Sequence, residues 1–174
     1  MKRFAMLALV LASGMACDKS PTTPSDPNVA RFTAILLPAN EVPPVTNTDA
    51  TASGTMQLTM TVTRDAANNI TGATYDFQIH VTGFPEGTTL TGAHIHAAPA
   101  GTNAGVVIGL PLAATETSLV TGQATITKPG LSANVAANAA TVARNIFDNP
   151  AGNYFNVHTT RNGGGAIRGQ LVKN

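Results

Sequence analysis

The fold is decided by residues 56–81, MQLTMTVTRDAANNITGATYDFQIHV, where apolar and polar side chains alternate on both sides of a polar turn. A period of two places the apolar side chains of a β-strand on one face. The turn, residues 64–69, is rich in Asp and Asn, as turns commonly are. The segment therefore predicts an antiparallel hairpin with one buried face, with Leu58 and Phe77 in the core. The alternating apolar residues are Met56, Leu58, Met60 and Val62 before the turn, and Tyr75, Phe77, Ile79 and Val81 after it.

The rest of the chain adds further predicted strands and one predicted helix. Four apolar residues recur at spacings of four, seven and four, which predicts a helix near residues 132–147 with Ser132 as its N-cap. These four are Leu131, Val135, Val142 and Ile146. The strand-like segments are residues 32–37, 90–97, 106–110, 119–127, 154–160 and 166–172. Because strands and helices do not alternate as in parallel sheets, we expect a mainly all-β fold, an antiparallel β-sandwich or barrel.

The composition supports this fold and excludes some classes of function. Of the 174 residues, 43% are hydrophobic, 11% are charged and 25 are threonine, which suits a half-solvated pleated surface. Ten basic residues face nine acidic ones, and removal of Lys2 and Arg3 with a leader leaves eight against nine. This balance provides no basic surface for a nucleic acid, so we expect no nucleic-acid partner.

The N-terminus has the pattern of a signal peptide, which we assign to residues 1–17. A short cationic start precedes residues 4–12, an apolar run too short to span a bilayer as a helix. Cys17 is the only cysteine of the chain. The Ala16–Cys17 end resembles the lipobox of bacterial lipoproteins, which implies that Cys17 carries lipid. The alternative is ordinary cleavage after Ala16, which would leave a free thiol.

Residues 18–28, DKSPTTPSDPN, separate this leader from the rest of the chain. They contain no apolar side chain other than proline, so they cannot bury a core and predict a flexible tether. The folded domain is then expected at residues 29–174. Leader, lipid and tether together predict an exported protein that its N-terminal lipid holds on a membrane, facing the periplasm or the exterior.

Three ordered motifs resemble the CHRD domain, which is named for its repeats in the secreted protein chordin. They are LPANEVPPV at 37–45, GAHIHAAPAGTNAG at 92–105, and the pair YFNVHT at 154–159 and GGAIRGQL at 164–171. The resemblance spans about residues 30–172. It implies a superoxide-dismutase-like β fold and an exported location. Ala166 stands where the family usually has Glu before Ile-Arg-Gly.

The histidines are the candidate metal ligands of this sequence. His94 and His96 are two residues apart on a predicted strand, so both leave the same face, and His158 follows on a later strand with Asn156 on its face. Imidazoles in this arrangement suit copper or zinc. The order of these residues resembles copper-zinc superoxide dismutase, which implies copper-ligand-like positions for the histidines and an anion-guiding position for Arg168. The pattern lacks a bridging histidine, a disulfide and a dense set of zinc ligands.

A structural role is the alternative for each of these residues. The histidines could instead hydrogen-bond to the backbone and to Asn156, Glu41 or Gln170. Glu41 is either a supporting partner of a histidine or a loop anchor. Arg168 either binds an anion or makes a salt bridge or carbonyl contact. His80 alternates outward on its strand, which indicates a solvated residue.

The sequence favours a non-enzymatic binding or structural module of CHRD type, exported and lipid-anchored. The alternative is a histidine-based copper- or zinc-binding protein related to copper-zinc superoxide dismutase, with redox activity as a further option. No residue is assigned a catalytic role, and the cofactor stays open, with copper and zinc as the candidates. Because only neutral imidazole binds metal, affinity is expected to fall as the pH drops through about 6.5.

Overall fold

The hairpin predicted from residues 56–81 lies at the centre of the structure. The computed structural model describes residues 26–132 and 138–174. Its strands are β1 (Val29–Leu36), β2 (Ser53–Arg64), β3 (Ile70–Thr82), β4 (Thr88–His96), β5 (Val106–Leu110), β6 (Ser118–Leu119), β7 (Ala124–Leu131), β8 (Tyr154–Thr159), β9 (Ile167–Gln170) and β10 (Val172–Lys173). The same residues contain the helices α1 (Ala114–Thr117) and α2 (Ala139–Asp148), with 3₁₀ turns at Pro38–Asn40, Thr48–Thr51 and Pro150–Gly152.

The strands pair into two antiparallel sheets. The first has the order β10-β1-β2-β3-β7, and the second has the order β5-β4-β8-β9 with β6 paired to β4. In the central hairpin β2–β3, Leu58 lies opposite Phe77. The predicted mainly all-β antiparallel sandwich is confirmed, and the described residues do not close into a barrel.

The hydrophobic core lies between the two sheets. Leu58 and Phe77 are each 1% exposed, as the sequence predicts. The ring of Phe77 lies 6.1 Å from the ring of Phe155 on β8, measured between centroids, so the sheets contact each other there. Ile95 of β4 and Val157 of β8 also point into this core. Because neighbouring residues of a strand point to opposite faces, the histidines of β4 and β8 point away from it.

The predicted helix exists, but it begins later than expected. Leu131 is paired with Tyr75 as the last residue of β7, so it is extended and not helical. The helix α2 begins after Asn138, whose side-chain oxygen accepts a hydrogen bond from the Thr141 N–H, so Ser132 is not its N-cap. An Asn side chain in this position satisfies one of the free amides of the first turn. Val135 lies outside the described residues.

The end of β1 meets β9 where the two sheets join. The backbones of Leu37 and Arg168 exchange two hydrogen bonds, with N···O distances of 3.1 and 3.3 Å. Gly169 permits this approach, because a Cβ atom at this position would overlap the Ile35 carbonyl. The contact brings the loop that follows β1 against β9. Every residue of β8 is buried, on the outer face as well as in the core.

The N-terminal assignments lie largely outside the described residues. The predicted signal peptide, Cys17 and the tether up to residue 25 belong to that part of the chain. The first strand begins at Val29, and Asn28 contacts β2 through its carbonyl, which accepts from the Val62 N–H at 2.8 Å. Among the helices that the structure describes, none has the length and apolar character needed to cross a membrane.

Candidate metal centre

The outer face of the second sheet brings together the histidines that the sequence singles out. His94 and His96 project from β4 beside Asn156 and His158, which project from β8. The pairing of β4 with β8 sets His94 opposite Asn156, and it sets His158 opposite Gly92. Strand alternation predicted the shared face on each strand, and the pairing of the strands places the two faces side by side.

His94 lies closest to His158. Its Nδ1 is 3.0 Å from Nε2 of His158, and the ring centroids are 4.8 Å apart. The ring folds back over Gly92, where a Cβ atom would come within 2.8 Å of the His94 Cε1. The missing side chain of Gly92 therefore makes room for His94 beside His158.

His96 is held from two sides. Its Nδ1 lies 2.9 Å from the Ala104 carbonyl, which can only accept, so Nδ1 carries the hydrogen and donates it. Its Nε2 faces the Asn156 Oδ1 at 3.0 Å. The ring stacks on Tyr154 with a centroid separation of 4.7 Å and an interplanar angle of 7°. These contacts fix both the position and the tautomer of the ring.

His158 is held in the same way. Its Nδ1 donates to the Gly163 carbonyl at 3.0 Å, which leaves Nε2 pointing at the His94 and Asn156 side chains. A ring nitrogen that donates to a backbone carbonyl fixes the tautomer and directs the other nitrogen, as it does in metal-binding histidines. Both buried histidines thus present Nε2 to the same small volume.

The three rings can offer nitrogens that all lie within 4.8 Å of one another. Two metal–nitrogen bonds of about 2.0–2.1 Å can span at most about 4.2 Å. The largest separation must therefore shrink by roughly 0.6 Å or more for all three nitrogens to reach one ion. His94 can supply this movement, because it is the partly exposed ring of the three while His96 and His158 are buried.

Burial sets the protonation of the cluster. Burial is the largest cause that lowers the pKa of His94, to about 4, and the neighbouring His158 and His96 lower it further. Burial also lowers the pKa of His158, although the hydrogen bond with Gly163 acts in the opposite direction. Both rings are therefore neutral at neutral pH, which is the form that binds metal.

Glu41 and Arg168 are buried together close to Asn156. Arg168 is 2% exposed, and its Nε donates to the Asn40 carbonyl at 2.5 Å and lies 3.7 Å from the Glu41 Oε2. Burial raises the pKa of Glu41 to about 7, against the lowering influence of Arg168, of the Asn156 side chain and of the Val42 N–H. For Arg168 the geometry favours the salt bridge and carbonyl contact, one of the two options that the sequence left open.

Not every residue that contacts the histidine cluster was identified from the sequence. Tyr154 stacks on His96 and lies beneath the Arg168 guanidinium, which is 4.6 Å from its ring centroid. The alternation of β8 places Tyr154 on the face of Asn156 and would have identified it, whereas no sequence signal marks the two carbonyls that orient the buried histidines. Gln170 donates to backbone carbonyls and not to a histidine. His80 is exposed on β3 and lies 3.2 Å from the Thr125 hydroxyl, outside the cluster.

The fold and this site define a β-sandwich domain with a histidine cluster on the outer face of one sheet. The chain belongs to the CHRD domain family, which matches residues 32–171. The resemblance carried by the three sequence motifs is thereby confirmed. No curated protein and no solved structure matches the chain. Membership of this family indicates a binding or structural module.

Proposed function

We propose that this CHRD domain is a binding module whose ligand is a divalent transition metal, copper or zinc. The observation that carries the proposal is the convergence of the His94, His96 and His158 nitrogens on one volume. Imidazole is a preferred ligand of both metals. The carbonyls that accept from the two buried rings are the kind of support that metal-binding histidines receive.

Metal titration tests this function. The full-length chain, purified in mild detergent without a histidine tag, is titrated with zinc and with copper by calorimetry. One saturable site is expected, and His94→Ala or His158→Ala is expected to abolish tight uptake. His80→Ala removes an exposed imidazole outside the cluster and is expected to bind as the wild type does. If the wild type shows no saturable uptake at neutral pH, the histidines are structural and the proposal is wrong.

We also propose that the module is exported and that lipid on Cys17 anchors it to a membrane. The support comes from the sequence: a cationic start, a short apolar run, a lipobox-like end and a polar tether up to residue 28. Several acyl chains on one cysteine would hold the domain firmly at the surface.

Detergent partitioning tests the anchor. The wild-type protein is expected in the detergent phase, whereas Cys17→Ser is expected to remain an uncleaved precursor or to leave the membrane fraction. A mature wild-type protein that partitions entirely into the aqueous phase would show that Cys17 carries no lipid. This result would leave the metal-binding proposal untouched, because the histidine cluster lies within the β-sandwich.

A further inference from the structure

With its Oδ1 facing the rings, Asn156 makes contacts that ordinary hydrogen bonding does not explain. Its Oδ1 lies 3.0 Å from Nε2 of His96 and 3.0 Å from Nε2 of His158. Each of these rings already donates its Nδ1–H to a carbonyl, that of Ala104 or that of Gly163. A neutral imidazole carries one hydrogen, so both Nε2 atoms present lone pairs. The Asn156 oxygen is an acceptor as well, so it faces the lone pairs of two ring nitrogens with no hydrogen in either contact.

Protonation of both rings would supply the missing hydrogens, but the surroundings oppose it. The two rings would become cations with centroids 6.3 Å apart. The centroid of the His94 ring would lie 4.8 Å from that of His158 and 5.7 Å from that of His96. All of this would take place on a strand pair whose side chains are largely buried. Charges of the same sign in a poorly solvated site are costly. Among the described residues, no acidic side chain forms an ion pair with one of these rings, and Glu41 is instead paired with Arg168.

A cation satisfies all of these atoms at once. Bonds of about 2.0–2.1 Å to a tetrahedral metal place the ligand atoms about 3.3 Å apart. The two contacts of the Asn156 Oδ1, and the contact between His94 Nδ1 and His158 Nε2, are each 3.0 Å. These three separations are within a few tenths of an ångström of the edges of such a tetrahedron. The widest separation among the histidine nitrogens, 4.8 Å, must shrink by about 1.5 Å to match them, and the partly exposed His94 can supply this movement.

We propose that the carboxamide oxygen of Asn156 is the fourth ligand of the metal, which gives a closed site of three imidazoles and one oxygen. This inference rests on the metal-binding function proposed above and deepens it. Asn156 is 2% exposed and lies directly opposite His94 in the sheet, so the strand pair itself delivers the oxygen. Asn156 also lies opposite the buried Arg168 in the pairing of β8 with β9, and the side chain of Asn156 lies close enough to the buried Glu41 carboxyl to lower its pKa.

A coordination sphere filled entirely by protein ligands has a chemical consequence. Catalytic metal sites keep one position for water or substrate, whereas structural sites are filled by protein ligands. With Asn156 in the fourth position, the cluster retains a metal and offers no position at which a substrate such as superoxide could bind. The site then suits a bound zinc ion that stabilises the module and the loops that cover its outer face.

The test uses cobalt, whose visible absorption reports the ligands around it. The full-length chain is loaded with cobalt and titrated with azide, which binds only where a coordination position is open or holds water. The wild type is expected to need at least tenfold more azide than Asn156→Ala, in which water takes the fourth position. Asn156→Asp retains an oxygen at this place and is expected to resist azide as the wild type does. In parallel zinc titrations, Asn156→Ala is expected to bind about 10–100-fold more weakly, and Asn156→Asp at least as tightly as the wild type.

The outcomes separate the two proposals. If the wild type takes up neither zinc nor cobalt, the metal-binding function itself fails. If the wild type binds cobalt but responds to azide at the same concentration as Asn156→Ala, the fourth ligand is water and only the present inference fails. The second result would indicate that the Asn156 amide is turned, with its Nδ2 donating to the two rings. If Asn156→Ala does not fold, the cobalt spectrum of the wild type alone still decides: no change with azide supports the closed site, and a saturable change shows an open or water-filled position.

Discussion

The buried carboxyl of Glu41 makes the stability of this domain depend on pH in a calculable way. Its pKa is raised from 4.5 to about 7, chiefly because burial disfavours the charged form. One pKa unit is worth about 1.4 kcal/mol, so the two values correspond to about 3 kcal/mol. Glu41 is 4% exposed, so solvent screening does not reduce this figure greatly.

The sign follows from proton binding. Between pH 4.5 and about 7 the folded chain holds a proton at Glu41 that the unfolded chain has lost, so the free energy of unfolding falls as the pH rises. The contribution is fully present below about 4.5 and is lost above about 7. The variant Glu41→Gln has no ionisable group at this position, so its free energy of unfolding does not fall for this reason. The difference in free energy of unfolding, variant minus wild type, is therefore expected to rise by about 3 kcal/mol between pH 4 and pH 8.

Urea unfolding at a series of pH values, with a chelator present, measures this difference. Subtraction cancels the histidines, whose lowered pKa values add an opposite slope below pH 6.5. Glu86→Gln, at an exposed carboxyl, controls for the loss of one charge and is expected to follow the wild type more closely. A difference that stays constant across the range would refute the argument from burial. A difference that falls with pH would show that the attraction of Arg168 outweighs burial.

Three further predictions concern the core, the sheet junction and the metal. Leu58→Ala or Phe77→Ala should each lower the free energy of unfolding by about 2–5 kcal/mol in urea titrations, because both side chains are fully buried; a loss below 1 kcal/mol would contradict their place in the core. Gly169→Ala should lower the melting temperature, because its Cβ would overlap the Ile35 carbonyl; an unchanged melting temperature would show that β1 and β9 can separate freely. In the metal-free protein, an NMR titration of the His94 ring should show no midpoint near 6.5, because burial above all lowers its pKa to about 4, so that protons should compete with zinc for this ring only near that pH; a midpoint near 6.5 would show that the ring titrates as if it were solvated.

The candidate site shows where sequence reasoning reaches its limit. A period of two along each strand places His94 with His96, and Asn156 with His158, since neighbouring side chains leave opposite faces. The convergence of the two pairs depends on which strands are neighbours, and β4 and β8 are separated by more than fifty residues of chain. The roles of the Ala104 and Gly163 carbonyls depend on loop conformation, which side-chain patterns do not encode.

Some features of the fold were predictable from the sequence, and others depend on tertiary packing. The residue types alone predicted the hairpin of residues 56–81, the all-β class and the buried positions of Leu58 and Phe77. A strand that buries one face has apolar residues at every second position, so its pattern is visible in the sequence. The sequence placed a helix correctly but began it too early, since Leu131 is apolar in either conformation and tertiary pairing with Tyr75 decides that it is extended. The tertiary structure alone decided that the sheets form a sandwich, that β9 meets β1 at Gly169, and that the oxygen of Asn156 faces two histidines. These are relations between segments distant along the chain, and they are settled by packing and not by local preference.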